Sequence, residues 1–87
     1  MKKTIFKFPI KVGLNEIQMP VGAQILTAQM QRGAMYIWCI VDESEMRREA
    51  RAINVFGTGH PLPEKADVSN WISTIQGAHY VWHLFEF

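Results

Sequence analysis

Hydrophobic and polar side chains alternate with a period of two along most of the 87 residues, a pattern typical of β-strands. We predict strands separated by short turns. They lie in residues 4–12, 16–19, 24–31, 35–41, the later part of 42–56, 71–76 and 79–87. The sequence therefore predicts an all-β, single-domain protein over residues 1–87, a small sandwich or barrel of six to seven mostly antiparallel strands. One short helical turn is expected within 64–69.

The alternation also assigns side chains to faces of the sheets. Phe6, Phe8, Ile10 and Val12 are predicted to face the core, opposite Lys7 and Lys11. Pro9 cannot donate a backbone hydrogen bond, so the first strand is expected at an edge or a bulge. Leu26, Ala28 and Met30 are predicted to point inward. The segment 35–41 is apolar on both faces and is predicted to be a central strand.

Glycine and proline predict the turns, at 13–15, 20–23 and 31–34. The segment 42–51 is ambiguous. It contains strong helix formers, with Ser44 as a possible cap, which favours a helix. Charged side chains at Arg47, Glu49 and Arg51 alternate with small ones, which favours a turn followed by a strand. We prefer the strand, and the helix remains the alternative.

Composition limits the classes of function. Nine Lys and Arg against eight Asp and Glu give a net charge of +1, so we expect neither polymeric nucleic acid nor a membrane as a partner. No segment approaches the roughly 20 apolar residues that cross a membrane as a helix. The single cysteine, Cys39, cannot form an internal disulfide, and a reducing cytoplasm is therefore expected.

The loop Gly57-Thr58-Gly59-His60-Pro61 is the best candidate for binding a ligand. Two glycines let backbone N–H groups approach a ligand, and Thr58 and His60 add side chains that form hydrogen bonds. The loop lacks the Gly-Lys-Ser/Thr sequence of a P-loop and the third glycine of a dinucleotide fingerprint. The alternative is that the glycines serve backbone geometry alone.

The sequence offers no convincing catalytic or metal site. His79 and His83 share a strand face but are ~13 Å apart along it, too far to bind one ion. No zinc-binding spacing and no nucleophile motif is present. We therefore expect a protein that is not an enzyme and that needs no metal and no cofactor.

Aromatic and basic residues supply further candidates. Trp38, Trp71 and Trp82 can stack on bases, and Arg47, Arg48 and Arg51 can pair with phosphates. The alternatives are a packed core for the aromatics and a solvated strand face for the arginines. The last strand is apolar on both faces, which predicts a homo-oligomer that covers one of them.

Four blocks of sequence resemble a family of small bacteriophage proteins. They are Lys7-Phe8-Pro9, residues 17–26 with Ile17-Gln18-Met19-Pro20, Gly57–Pro61, and Val81-Trp82-His83-Leu84-Phe85-Glu86. The resemblance implies a phage protein acting in the cytoplasm of the infected bacterial host. By analogy with phage proteins called sponges, we expect it to bind and sequester a cyclic nucleotide or cyclic ADP-ribose type immune signal without cleaving it. The alternative is a protein–protein interaction module that inhibits a host protein through an aromatic edge.

Overall fold

The computed structural model describes residues 2–87 and contains seven strands and one short 3-10 helix, Val68–Asn70. The strands are β1 (Lys3–Ile10), β2 (Gly13–Pro20), β3 (Gln24–Gln31), β4 (Ala34–Asp42), β5 (Arg48–Gly57), β6 (Trp71–Gln76) and β7 (Val81–Glu86). All pairings are antiparallel and form a three-stranded sheet, β1-β4-β3, and a four-stranded sheet, β2-β5-β7-β6. The predicted all-β fold is confirmed, and the helical segment overlaps the predicted helical turn.

The core lies between the two sheets. Its best buried side chains come from the inner faces of the central strands, such as Ile37 and Cys39 on β4, Ile53 on β5 and Leu84 on β7. Burial raises the pKa of the Cys39 thiol to about 11, because the interior disfavours the thiolate. Cys39 is therefore a packing residue.

A single ion pair occupies the edge of this core. Arg51 lies on the inner face of β5, and its guanidinium makes two hydrogen bonds to the carboxylate of Glu86 on β7. The same guanidinium donates to the carbonyl of Ala23, at 2.8 Å, in the connection that leads from β2 to β3. Arg51 thereby ties a chain crossover to the four-stranded sheet, and the hydrogen bonds with Glu86 raise its pKa.

Two predictions for the three-stranded sheet are confirmed, and one turn is misplaced. β4 is the central strand and β1, with Pro9, is an edge strand. The chain reverses after Ile10, and the predicted turn at 13–15 is wrong because β2 already begins at Gly13. The side chain of Asn15 closes the earlier connection, accepting from Lys11 N–H and donating to Lys11 O, both at 2.8 Å.

Three inward assignments need correction. The β3–β4 register shifts between Ile25 and Thr27, so this bulge leaves Leu26 49% exposed. Val12 lies beyond the end of β1 and is exposed. Phe6 has an inner-face register but lies on an edge strand, where it stays 36% exposed.

The segment 42–51 forms a turn and the start of a strand, as preferred. Val21 N–H donates to Arg47 O, which extends the β2–β5 ladder to the start of β5. The aromatic strand β7 lies between β5 and β6, so the edges of the four-stranded sheet are β2 and β6. The hydrophobic pattern of β7 alone does not reveal that this strand pairs with both β5 and β6.

Candidate functional site

The loop that follows β5 is a tight turn over Gly57–His60. His60 N–H donates to Gly57 O at 3.1 Å, and Gly59 has a φ of +88° in the third position. These features are typical of a type II turn, whose third residue needs the positive φ that glycine adopts without strain. Thr58 N–H donates to Val81 O at 3.2 Å and fixes the turn to β7. The sequence therefore builds a rigid turn at the end of the sheet.

The His60 ring folds back onto Gly57. Gly57 N–H donates to His60 Nδ1 at 3.2 Å, and a Cβ on residue 57 would lie 2.8 Å from the ring. Glycine is thus required for this close approach. Because Nδ1 accepts a hydrogen bond, the neutral ring carries its proton on Nε2. Nε2–H has no partner within residues 2–87 and is available to a ligand.

A hydrogen-bonded chain of side chains runs across the outer face of the four-stranded sheet. Thr58 Oγ1 lies 2.6 Å from His83 Nε2, and Thr74 Oγ1 lies 3.1 Å from His83 Nδ1. Trp71 Nε1–H donates to Thr74 Oγ1 at 3.3 Å. The register explains the contact, since Thr74 on β6 is directly opposite His83 on β7. The chain connects the indole of Trp71 to the turn.

Two depressions flank the turn. The one on the outer face of the sheet has a volume of about 240 Å³ and is lined by the turn, Leu62, His83 and Phe85. The one on the other side has a volume of about 350 Å³. Its walls are Gly57, Thr58, His60, His79, Tyr80, Val81 and Trp82. Small-molecule sites have volumes of roughly 300–1,000 Å³, so the second depression is at the lower end of that range.

An aromatic pair forms one wall of the larger depression. The rings of Tyr80 and Trp82 are 5.5 Å apart with a tilt of 37°, and Tyr80 is 66% exposed. Trp82 is directly opposite Gly57 in the β5–β7 register, which places its indole beside the turn. The larger depression is thus lined both by aromatic rings and by hydrogen-bonding groups of the turn.

The structure brings six of the ten predicted site residues together. They are Gly57, Thr58, Gly59, His60, Trp82 and, through Thr74 and His83, Trp71.

The other four lie elsewhere. Trp38 is on the three-stranded sheet, and Arg51 is bound to Glu86. Arg48 begins the ten-residue strand that Gly57 ends, so the two are roughly 30 Å apart. Arg47 precedes Arg48 and pairs with Glu45 at 2.9 Å. None of the three arginines can contact a ligand held at the turn.

Sequence reasoning missed seven residues as members of this site: Leu62, Thr74, His79, Tyr80, Val81, His83 and Phe85. The two histidines of the last segment were considered only as metal ligands. The alternation in β7 does place His83 and Trp82 on opposite faces. What the pattern lacks is the pairing register, and only the register shows that Thr58 and Thr74 flank His83.

Within residues 2–87, no cluster of three or more His, Cys, Asp or Glu side chains could hold a metal ion. In the same part of the chain, no helix is long and apolar enough to span a membrane.

Comparison with known proteins adds a family. No curated protein and no solved structure matches the chain. A family model described as a domain of unknown function, DUF7352, matches residues 1–87, the whole length given. The two-sheet sandwich and its Gly57–His60 turn are therefore features of a member of this family: the chain belongs to DUF7352.

Proposed function

We propose that the protein binds a small nucleotide at the Gly57–His60 turn and releases it unchanged. The observation that carries this proposal is the larger depression, where the Tyr80–Trp82 pair faces the donor groups of the turn. A nucleotide offers an aromatic base and an anionic phosphate, which need these two kinds of surface. In keeping with the resemblance to phage proteins, the bound molecule is proposed to be an immune signal of the infected host, sequestered in its cytoplasm.

The proposed pose follows from the available groups. The base stacks on Tyr80, whose ring is well exposed, and on the accessible part of Trp82. The phosphate accepts a hydrogen bond from His60 Nε2–H, which has no partner within residues 2–87. No step of this account requires a reaction, so affinity alone provides the function.

A second copy of the chain is proposed to complete the site. Leu62 and Tyr80 line the two depressions at the turn and are 51% and 66% exposed. Trp71, which is linked to the turn through Thr74 and His83, is 49% exposed. A cyclic dinucleotide or trinucleotide is larger than either depression, and a partner subunit would cover the part that projects. Sedimentation with and without ligand measures the oligomeric state and so tests the proposed second copy separately.

One contact favours an enzyme as a second candidate. The 2.6 Å contact between Thr58 Oγ1 and His83 Nε2 is within the range of a nucleophile and its general base. However, His83 Nδ1 contacts the hydroxyl of Thr74, where nucleophilic triads place a group that orients and stabilises the charged imidazole. A neutral hydroxyl stabilises a charged imidazole poorly, so we favour binding over catalysis.

The test is thermal unfolding against a panel of cyclic dinucleotides, cyclic trinucleotides and cyclic ADP-ribose isomers. A ligand at 100 times its Kd stabilises the protein by about 2.7 kcal/mol. That corresponds to an increase in Tm of roughly 10 to 20 °C for a domain of this size. The complex is then denatured and the released ligand is chromatographed. Intact ligand supports binding, altered ligand supports the enzyme, and no shift with any member contradicts the proposal.

Variants then locate the site. His60→Ala and Tyr80→Ala are expected to abolish most of the shift in Tm, because they remove the donor and the stacking surface. Arg48→Ala and Met46→Ala are the matched controls, since both residues are exposed at the opposite end of β5. Controls that weaken binding as much as His60→Ala would place the ligand elsewhere.

A further inference from the structure

We propose that the outer face of the three-stranded sheet is a second, separate site, which binds single-stranded nucleic acid through Trp38 and Lys7. Both residues lie on this face and are directly opposite each other in the β1–β4 register. The inference does not depend on the proposed function of the turn.

Lys7 is held in place beside the indole. Its ammonium lies 4.5 Å from the centre of the Tyr36 ring and donates to Gln31 Oε1 at 2.8 Å. The Tyr36 ring is itself 6.0 Å from that of Trp38. A base stacked on Trp38 therefore has a fixed positive charge within reach of its phosphate, without a large loss of side-chain entropy on binding.

Charge is distributed unevenly over the chain. The net charge of +1 is an average, whereas β1, β3 and β4 together contain a single acid, Asp42. Its carboxylate accepts hydrogen bonds from Ser44 and Lys2 N–H, which lower its pKa and keep it within the 42–44 turn. Lys3 and Lys7 lie on β1, and Arg32 lies in the β3–β4 turn. The field that a phosphate backbone meets on this face is thus positive.

The neutral polar side chains of the face suit a strand of bases. Thr27 is opposite Trp38, and Gln29 is opposite Tyr36, both on β3. Amide and hydroxyl groups can donate to and accept from base edges or sugars. Aromatic residues on an open sheet, flanked by basic and amide groups, are a recurrent way to bind single strands.

The shape of the face favours a polymer over a free nucleotide. Small-molecule sites are concave, and none of the depressions described is lined by Trp38 or Tyr36. An open face covers only one side of a base, which makes the binding of one nucleotide weak. Several linked nucleotides can contact Trp38, Lys7 and Arg32 together, and their contributions combine.

The test is fluorescence polarisation with a labelled oligo(dT) at low salt, with dTMP as the competitor. We expect saturable binding that weakens as salt increases, with a slope of about −0.7 for each phosphate contacted. Trp38→Ala should weaken binding roughly 5- to 150-fold, the effect of losing one stacked base. Lys7→Met should also weaken binding and make the slope less steep, while it keeps an aliphatic side chain over Tyr36.

Matched controls keep the inference falsifiable. Trp71→Ala and Lys65→Met remove an exposed indole and an exposed lysine outside the three-stranded sheet and should bind like the wild type. Three outcomes would each overturn the proposal. The wild type does not bind oligo(dT), or Trp38→Ala binds it as tightly as the wild type does. The third is complete competition by dTMP at an equal concentration of nucleotide. A dimer that Trp38→Ala dissociates, without any binding of oligo(dT), would identify the face as a subunit interface instead.

Discussion

The Gly57–His60 turn and the outer face of the three-stranded sheet use similar residues in different settings. On the four-stranded sheet, Tyr80 and Trp82 line a depression beside a rigid turn, and the adjacent polar groups are histidine rings and hydroxyls. On the three-stranded sheet, Trp38 lies on an open face with a fixed lysine beside it. Concavity favours one small ligand, whereas an open basic face favours a long one.

A tryptophan does not define a ligand by itself. Trp38 and Trp82 are equivalent in composition, yet only Trp82 is opposite a glycine whose turn supplies donors. Of the candidate tryptophans and arginines, only Trp82 lines a depression beside the Gly57–His60 turn. What separates Trp38 from Trp82 is the assignment of β4 and β7 to different sheets.

The largest expected effect on stability concerns Arg51, which lies at the edge of the core and belongs to neither proposed binding site. Arg51→Ala leaves the carboxylate of Glu86 without its partner and the Ala23 carbonyl without its donor. Because both side chains keep partial contact with solvent, we expect a loss of about 2 to 3 kcal/mol of stability. This corresponds to a decrease in Tm of roughly 10 to 20 °C, measured by thermal unfolding.

The exposed Arg48 is the control for that measurement. Arg48→Ala should leave the Tm close to that of the wild type. An Arg51→Ala protein that keeps its Tm but no longer binds ligand would contradict the assignment and return Arg51 to a binding role.

A smaller effect is expected at the turn. Gly57→Ala should push the His60 ring away and break the hydrogen bond from Gly57 N–H, at a cost of about 1 kcal/mol. In a His60→Ala background the same change meets no ring, and it should be neutral or slightly stabilising. The two costs, measured by denaturant unfolding, give the coupling between the residues.

Equal costs in both backgrounds would mean that the ring does not pack on Gly57. The turn would then lack the fixed His60 ring that distinguishes it from the open face of the three-stranded sheet. The nitrogen chemical shifts of His60 give an independent measurement, since they report which ring nitrogen carries the proton.

The smallest effect concerns Arg47, which we assign to the 42–47 turn. Hydrogen bonds from its side chain and its backbone N–H lower the pKa of Glu45 to about 2 from an ordinary value of 4.5. This carboxylate therefore stabilises the fold above about pH 4.5, and the contribution is lost as the pH falls toward 2. Arg47→Ala should raise the pKa of Glu45 only part of the way, because the backbone hydrogen bond remains. An NMR titration of Glu45 measures it, and an unchanged pKa would contradict the pairing.

The fold was largely predictable because its cause is local. Alternation of side chains gives the strands, and Pro9 correctly places β1 at an edge. The errors arise where the period is interrupted. The bulge at Ile25–Thr27 inserts one residue and turns Leu26 outward, which no count of alternating positions reveals. The Asn15 side chain similarly stabilises a turn two residues before the predicted one.

The candidate site was only partly predictable because its parts come from different strands. The glycines of the turn are recognisable in the sequence. Gly59 adopts a positive φ, and Gly57 allows the close approach of the His60 ring. The Thr58–His83–Thr74 chain depends on the registers of β5, β7 and β6, which are set by the whole sheet. Arg51 also looked like a surface residue until its inward register paired it with Glu86.

The central claim is that the Gly57–His60 turn and the outer face of the three-stranded sheet bind different ligands independently, and Trp82 and Trp38 provide a direct test. In ¹⁵N-labelled protein, each indole N–H gives its own NMR signal, so Trp82 reports on the turn and Trp38 on the three-stranded sheet. Oligo(dT) is predicted to shift the signal of Trp38 and leave that of Trp82 in place. A cyclic nucleotide from the panel that raises the Tm should shift Trp82 and leave Trp38 unchanged. If both probes move the same indole signal, the protein has one shared site and the account of two separate sites is wrong.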